Sequence, residues 1–324
     1  MKKSIFYSIM MMLSAGAVCC SCSDDDEANA NSYAAGNPLV SQGKVLLTQL
    51  GHTRYEYDEN FRPVAAYYYN EEEWSINYEK GLISLYDGEL PNLSCSFNSK
   101  GYITKIKGSF SESEYEDGVK YTEEMTVTMT FEYDGEGHLR TERYTEDSKY
   151  TEGSEVETEH YDECEEYTWE QGNLVKMERK DDSESRTIKA TYGEQENKYR
   201  QYPGLWSNCD EVTMRAAGLC GIGPKNLLAS YSKAYGSSKP YEHSVEYILN
   251  EDGTIKQENS GEIFDFVYTP IEQYLPSAPK AVSTRSTTAS RLSVHEKAER
   301  LRRFCRGFSL MHNVGREDKS VDVR

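Results

Sequence analysis

The first residues to weigh are those that could do chemistry. Asp134, Glu136 and His138 stand two apart in "FEYDGEGHLRTERY" (Phe131–Tyr144), a spacing that metal ligands adopt. Calcium takes roughly six to eight oxygens from a loop of about a dozen residues that ends in a bidentate glutamate. This stretch offers two carboxylates, and no such loop follows. The slot of His138 before Leu139 is filled by Asn173 before Leu174 and by Thr254 before Ile255. That freedom suits a turn better than a ligand set, so no metal and no cofactor is expected. A glycosidase would need a carboxylate pair, but with 55 acidic residues no local pattern singles one out. There is no G-x-S-x-G, H-E-x-x-H or phosphate loop. "GLCGIG" (Gly218–Gly223) follows a helical pattern rather than a strand, the wrong order for a dinucleotide site. The six histidines are scattered singly. No catalytic residue is assigned.

Aromatic side chains are the softer signal. "AAYYYNEEEW" (Ala65–Trp74) gathers three tyrosines and a tryptophan, and Trp169, Tyr199, Tyr202 and Trp206 form a second rich region. Pyranose faces stack on such rings while their hydroxyls seek polar neighbours. Tyr67, Tyr69, Trp74, Trp169 and Trp206 are therefore the candidate ligand-stacking residues. The competing reading is that these rings fill the core of a thin sheet.

These residues sit in a repeat. An aromatic or aliphatic residue, a polar cluster and an aliphatic residue recur from Tyr57, Tyr78, Phe97, Tyr133, Trp169 and Leu249, with a divergent copy at "TYGEQENKY" (Thr191–Tyr199). The first starts lie 21 and 19 residues apart and the next two gaps are 36 each. A unit of about 20 residues is one β-hairpin with the polar cluster as its turn. "MTVTMTFEY" alternates Met125, Val127, Met129 and Phe131 with Thr126, Thr128 and Thr130, and "LSCSF" places Cys95 on its apolar face. Both have the period of a sheet with one buried side. The charged middle gaps read as hairpin extensions or mobile loops. The fold class is mainly β: an antiparallel meander of repeated hairpins in an extended twisted sheet, barrel-like or solenoid-like. The 26 tyrosines suit such a thin architecture.

One segment departs from this pattern. "GLWSNCDEVTMRAAGLCGIGPKNLL" offers Ser207 as a cap, helical spacing through Val212, Ala216 and Leu219, and stops at Gly218 and Gly221. It predicts one short helix near 207–220, which would plug an end of the sheet, cover an edge or act as a lid. A Cys209–Cys220 disulfide is open. One unbroken helix would hold the two cysteines roughly 16 Å apart, and a disulfide needs about 7 Å or less.

The amino terminus gives the clearest address. "MKKSIFYSIMMMLSAGAVCCSCSDDDE" has Lys2 and Lys3, then an apolar run from Ile5 to about Val18, short for a membrane span. Here the chain resembles bacterial lipoproteins, whose signal is cut just before a cysteine that takes the lipid. Cys19, Cys20 and Cys22 compete for that role. Cys22, preceded by Ser21, is the preferred acceptor. The following "SDDDE" resembles the export tag of Bacteroides-type surface lipoproteins. Acyl chains anchor by burying methylenes, so the expected partner is the membrane through that anchor. The expected location is the outer membrane, surface-exposed, with a periplasm-facing placement as the alternative.

The formal net charge is −19, yet the chain from Lys280 onward carries eleven Lys/Arg against five Asp/Glu. The remainder is therefore at −25, an acidic body that argues against nucleic acid. The organisation is a signal peptide at 1–21, an acidic small-residue tether at 22–43, the hairpin-repeat domain at 44–270 and a basic tail at 271–324, disordered or partly helical. The repeats, the "GLWSNCDEV…GLCGIGPKNLL" segment and the closing "YILNEDGTIKQ" look like a Bacteroides-type lipoprotein family known only as a domain of unknown function. Its repeats are distantly similar to tyrosine–aspartate repeats, and it assigns no catalytic residues to carry over. The expectation is a lipid-anchored, non-catalytic surface module that binds or scaffolds an extracellular glycan or protein. A surface glycoside hydrolase and a purely structural subunit are the alternatives.

Overall fold

The computed structural model describes residues 45–86, 92–116, 118–180, 185–200, 210–261, 263–274, 293, 297, 298 and 300–302. The signal, Cys22, the tether, Ser207, Trp206, Cys209, Tyr202 and most of the tail lie outside the described residues.

Among the described residues, seventeen strands form one antiparallel sheet. They are β1 (Val45–Leu50), β2 (Thr53–Tyr57), β3 (Pro63–Tyr68), β4 (Glu71–Asn77), β5 (Leu82–Leu85), β6 (Leu93–Phe97), β7 (Ile103–Glu116), β8 (Val119–Tyr133) and β9 (Leu139–Glu152). There follow β10 (Glu155–Glu170), β11 (Asn173–Lys180), β12 (Ser185–Glu196), β13 (Asn226–Tyr235), β14 (Tyr241–Ser244), β15 (Glu246–Leu249), β16 (Ile255–Asn259) and β17 (Ile263–Pro270). Each strand from β1 to β13 pairs with its successor. β15 pairs with β16, β16 with β17, and β17 returns to β1. The expected meander is thus a sheet nearly closed into a barrel, with its seam beside Val245, between β14 and β15.

The repeat has a physical basis. Asp58, Asn98, Asp134 and Asn250 each donate their amide to the carbonyl four residues on, and each carbonyl accepts the amide three residues on. That third position is left-handed in every copy: Phe61, Gly101, Gly137 and Gly253. In three of the four, the Asp or Asn side-chain oxygen also takes amides within the turn, as such residues do when they replace backbone partners. A register shift falls just before the leading residue in five copies, at Tyr57, Phe97, Tyr133, Trp169 and Leu249. Bulges at one rim bend and twist the strands, which curls a sheet toward closure. The leading rings also bind backwards. Tyr57 and Tyr133 hydroxyls donate to Leu47 O and Ile103 O at 2.6 Å, and Trp169 Nε1 donates to Leu139 O at 2.8 Å. A polar-tipped aromatic fills the core and satisfies a carbonyl of the preceding strand, which is why the motif favours tyrosine.

The sides of the sheet are sharply different. Met125, Val127, Met129 and Phe131 face inward and are buried with Leu93, Ile106 and Phe110. Gly108 gives Leu93 its room: a Cβ there would lie 2.1 Å from Leu93 Cδ2. Outward positions on β8, β11 and β12 are polar, with Thr126, Thr128 and Thr130 on β8, Lys176, Glu178 and Lys180 on β11, and Thr187 and Lys189 on β12, whereas β15 and β17 turn Ile248, Ile263 and Val267 outward.

The helix α1 (Asp210–Ala216) and the chain after it plug the interior from the rim that carries the repeat turns. Gly218, at φ +83, closes α1 with its amide on Arg215 O while Leu219 bonds Met214 O, the pattern that a left-handed glycine permits. Met214, Ala217, Leu219 and Cys220 are essentially inaccessible. The plug is tied to the turns by Ile222 N–H to Gly137 O, Lys225 N–H to Gly172 O and Ile103 N–H to Leu219 O. In the tail, residues 297, 298 and 300–302 are helical, with Ala298 and Leu301 fully buried.

Candidate functional site

Asp134 and His138 build the turn from which the metal reading arose. Asp134 Oδ1 accepts the amides of Glu136, Gly137 and His138 at 2.9 to 3.0 Å, and Oδ2 lies 3.1 Å from His138 Nδ1. These bonds to His138 and the turn hold the Asp134 carboxyl below its usual range against the opposing effect of burial. His138 is buried, stacks on Trp169 at 4.3 Å and meets Arg200 through Nε2 at 3.4 Å. Glu136 remains on the exposed side of the bend. The geometry is that of a clamped turn, with both Asp134 oxygens committed to it.

The candidate stacking aromatics separate into different environments. Trp74 has no exposed surface, and its Nε1 donates to Thr213 Oγ1 of α1 at 2.8 Å. Tyr67 is buried, with the Arg54 guanidinium 4.4 Å from its ring centroid. Trp169 is half-buried against His138. Trp206 lies outside the described residues. Of the four described candidates only Tyr69 is open, at 59% exposure, with its ring 4.3 Å from His52 in a stacked arrangement. Tyr68, also exposed, meets Tyr69 edge-on at 4.6 Å. These three rings crown the adjoining β1–β2 and β3–β4 hairpin tips, on the rim opposite the repeat turns. Tyr69 and Asn70 are both left-handed (φ 48 and 73), as a two-residue hairpin turn requires. A tyrosine in that conformation is strained.

The residues that sequence reasoning missed lie inside. Register places Glu142, Glu165, Arg179 and Arg186 side by side on β9, β10, β11 and β12. All four are buried. Arg179 binds Glu163, and Arg186 binds Glu165. Arg215 of α1 reaches Glu142 Oε2 and the Tyr167 hydroxyl, both at 2.8 Å. Two like-charged neighbours on the rung, Glu142 beside Glu165 and Arg179 beside Arg186, would repel; the opposite charges between and above them offset this. Burial pushes the Glu163 carboxyl up to about 8, with Arg179 opposing and Glu165 reinforcing. Burial, then Arg186, pulls Lys233 down to about 8. These glutamates face arginines rather than a cleft, so the strongest carboxylate cluster knits the plug to the wall. Its signal in the sequence was weak: in "YDECEEYTWE" the set that faces inward mixes Glu163 and Glu165 with Tyr161 and Tyr167, and glutamates in a strand read as solvated.

Burial raises the Cys95 thiol, and the neighbouring Cys220 adds to it. Among the described residues no three His, Cys, Asp or Glu side chains converge as a metal site, and no helix is long and apolar enough to cross a membrane.

No family model and no curated protein sequence matches this chain. Among solved structures it is similar to a porin-like protein from Bacteroides uniformis, with TM-score 0.31 and 12% identity over 55% of this chain and 90% of that one. A likeness so distant carries no argument about function.

Proposed function

We propose that this chain is a lipid-anchored outer-membrane protein, displayed at the cell surface as a non-catalytic binding or scaffolding module, with a glycan as its ligand. The observation that carries this reading is the polarity of the sheet. A lipid-facing barrel turns an apolar band roughly 25 Å tall outward and keeps a polar lumen. Here the outward positions of β8, β11 and β12 are threonine, lysine and glutamate, while aliphatic and aromatic side chains and α1 fill the inside. Such a body sits in water. Membrane attachment then falls to the acyl group on Cys22, with the acidic tether as spacer. The resemblance to Bacteroides-type surface lipoproteins belongs to the same proposal.

The exposed rings of Tyr68, Tyr69 and His52 are the face this reading assigns to the ligand, since a sugar stacks on such a platform. The test is a glycan-binding screen of the chain carrying Cys22→Ala, run beside the same protein with Tyr69→Ala. Binding to at least one glycan, lost in the Tyr69 variant, supports the reading. A complete blank in both would favour a structural subunit.

A further inference from the structure

The longest strands carry a feature that neither the core nor the aromatic tip uses. β7, β8, β9 and the start of β10 run past their neighbours as a four-stranded flap. β6 pairs with β7 only as far as Lys107, and β11 joins β10 only from Cys164. Register and strand alternation identify the flap's inner face, which continues that of Phe110 and Met125. One rung there is Glu112, Glu123, Tyr150 and Glu157; the next is Glu114, Tyr121, Glu152 and Glu155. This face borders a groove of about 510 Å³. An acidic face alone would mean little, but a basic helix is seated on it. Lys297 Nζ donates to both Glu112 oxygens at 2.7 and 2.8 Å. Arg302 reaches Glu146 at 2.9 Å through Nε and Glu123 at 2.6 Å through a terminal nitrogen. Between them Ala298 and Leu301 are fully buried. These four positions form one helical stripe, apolar in the middle and cationic at both ends. The Lys297 amide also donates to Ser293 O at 3.1 Å.

We propose that the inner face of the flap is a binding site for a basic amphipathic helix, and that the tail helix carrying Lys297, Ala298, Leu301 and Arg302 is its resident, exchangeable occupant. Three observations point this way. The flap projects beyond the ring that closes through β17 and β1, so vacating it leaves that ring intact. The two rungs hold six carboxylates against the two cations, Lys297 and Arg302, that the described part of the tail brings to the face. The chain then continues with Arg303 and Arg306, cations of the kind this face attracts. The recognition mode is helix-in-groove with charge selection at the ends. A ligand in trans would therefore be a peptide helix with basic residues flanking a small apolar stripe.

The test keeps the whole chain. A protease site is placed between residues 280 and 290, the protein is cut, and retention of the tail is followed by size exclusion. The expected result is retention at low ionic strength, release near 1 M salt, and displacement by excess synthetic peptide 293–312. A peptide carrying Arg302→Glu should compete at least about tenfold less well, through loss of the Arg302 pairs with Glu123 and Glu146. It perturbs no part of the folded protein, so misfolding cannot mimic the outcome. Retention at 1 M salt would make the tail a fixed part of the core and overturn exchangeability. Immediate loss at low salt, or equal competition by a scrambled peptide of the same composition, would overturn the site itself.

Discussion

Arg215→Met is the sharpest perturbation of the interior. The guanidinium is 1% exposed and bonds Glu142 and the Tyr167 hydroxyl, both at 2.8 Å, while its charge lies 5.2 Å from the Tyr167 ring centroid. Methionine keeps much of the volume and removes the charge. Glu142, 2% exposed, then stays buried without this counter-ion. Breaking one side of a buried pair costs about 3–5 kcal/mol. For a chain of this size each kcal/mol lowers Tm by about 2–4 °C, so a fall of roughly 6–20 °C is expected. Circular dichroism melts of the wild type, Arg215→Met, Glu142→Gln and the double variant form a cycle. The double variant should lose clearly less than the sum of the singles, with a coupling of at least about 1 kcal/mol. A fall of less than about 2 °C in Arg215→Met, or strict additivity, would refute the view that the ion rung ties α1 to the wall.

Other outcomes follow from the same geometry. Gly221 is at φ +91, and a Cβ there would lie 2.6 Å from the Gly137 carbonyl. Gly221→Ala should therefore cost more than about 1 kcal/mol in a urea titration, by pushing the plug off the turn. Tyr57→Phe deletes a buried donor from Leu47 O and should cost roughly 1–3 kcal/mol. Tyr69→Asn should instead raise Tm slightly, because asparagine tolerates the left-handed conformation, while abolishing any binding that uses the ring. The folded Glu163 carboxyl, at about 8, holds its proton more tightly than the unfolded one at 4.5. Its contribution to stability is thus full below the unfolded value and is lost as pH rises toward 8. Lys233 has the opposite shift, from 10.5 to about 8, so its contribution is full above 10.5 and is lost as pH falls toward 8. Denaturation midpoints should pass through a minimum near pH 8, and Glu163→Gln should flatten the acid side.

Much of the architecture was legible because the repeat writes its own turn chemistry. Asp or Asn, then a left-handed residue three places on, then an aliphatic residue is enough to place Asp58, Asn98, Asp134 and Asn250 at one rim. The clean alternation of "MTVTMTFEY" and "LSCSF" likewise gave the buried face. Ring closure was not legible, since the β17–β1 pairing joins residues more than 200 apart and depends on bulge curvature rather than on any local motif. The aromatic candidates divided for a related reason. Trp74 and Tyr69 look alike in sequence, but Trp74 points at α1, and only the tertiary fold brings Thr213 to its Nε1. The interior glutamates escaped notice because a charged residue reads as solvated until its arginine, on another strand, is placed opposite.

The proposal to test is that this nearly closed barrel is filled inside, polar on the outer faces of β8, β11 and β12, and held at the membrane by a lipid on Cys22 alone. The most direct measurement is membrane partition of the chain with Cys22→Ala, compared with the wild type in washed membranes and in detergent-free buffer. The account predicts that the variant leaves the membrane and remains monomeric in buffer, and that it adds no conductance to a planar bilayer. A variant that stays in washed membranes, needs detergent, or opens a conductance would contradict it.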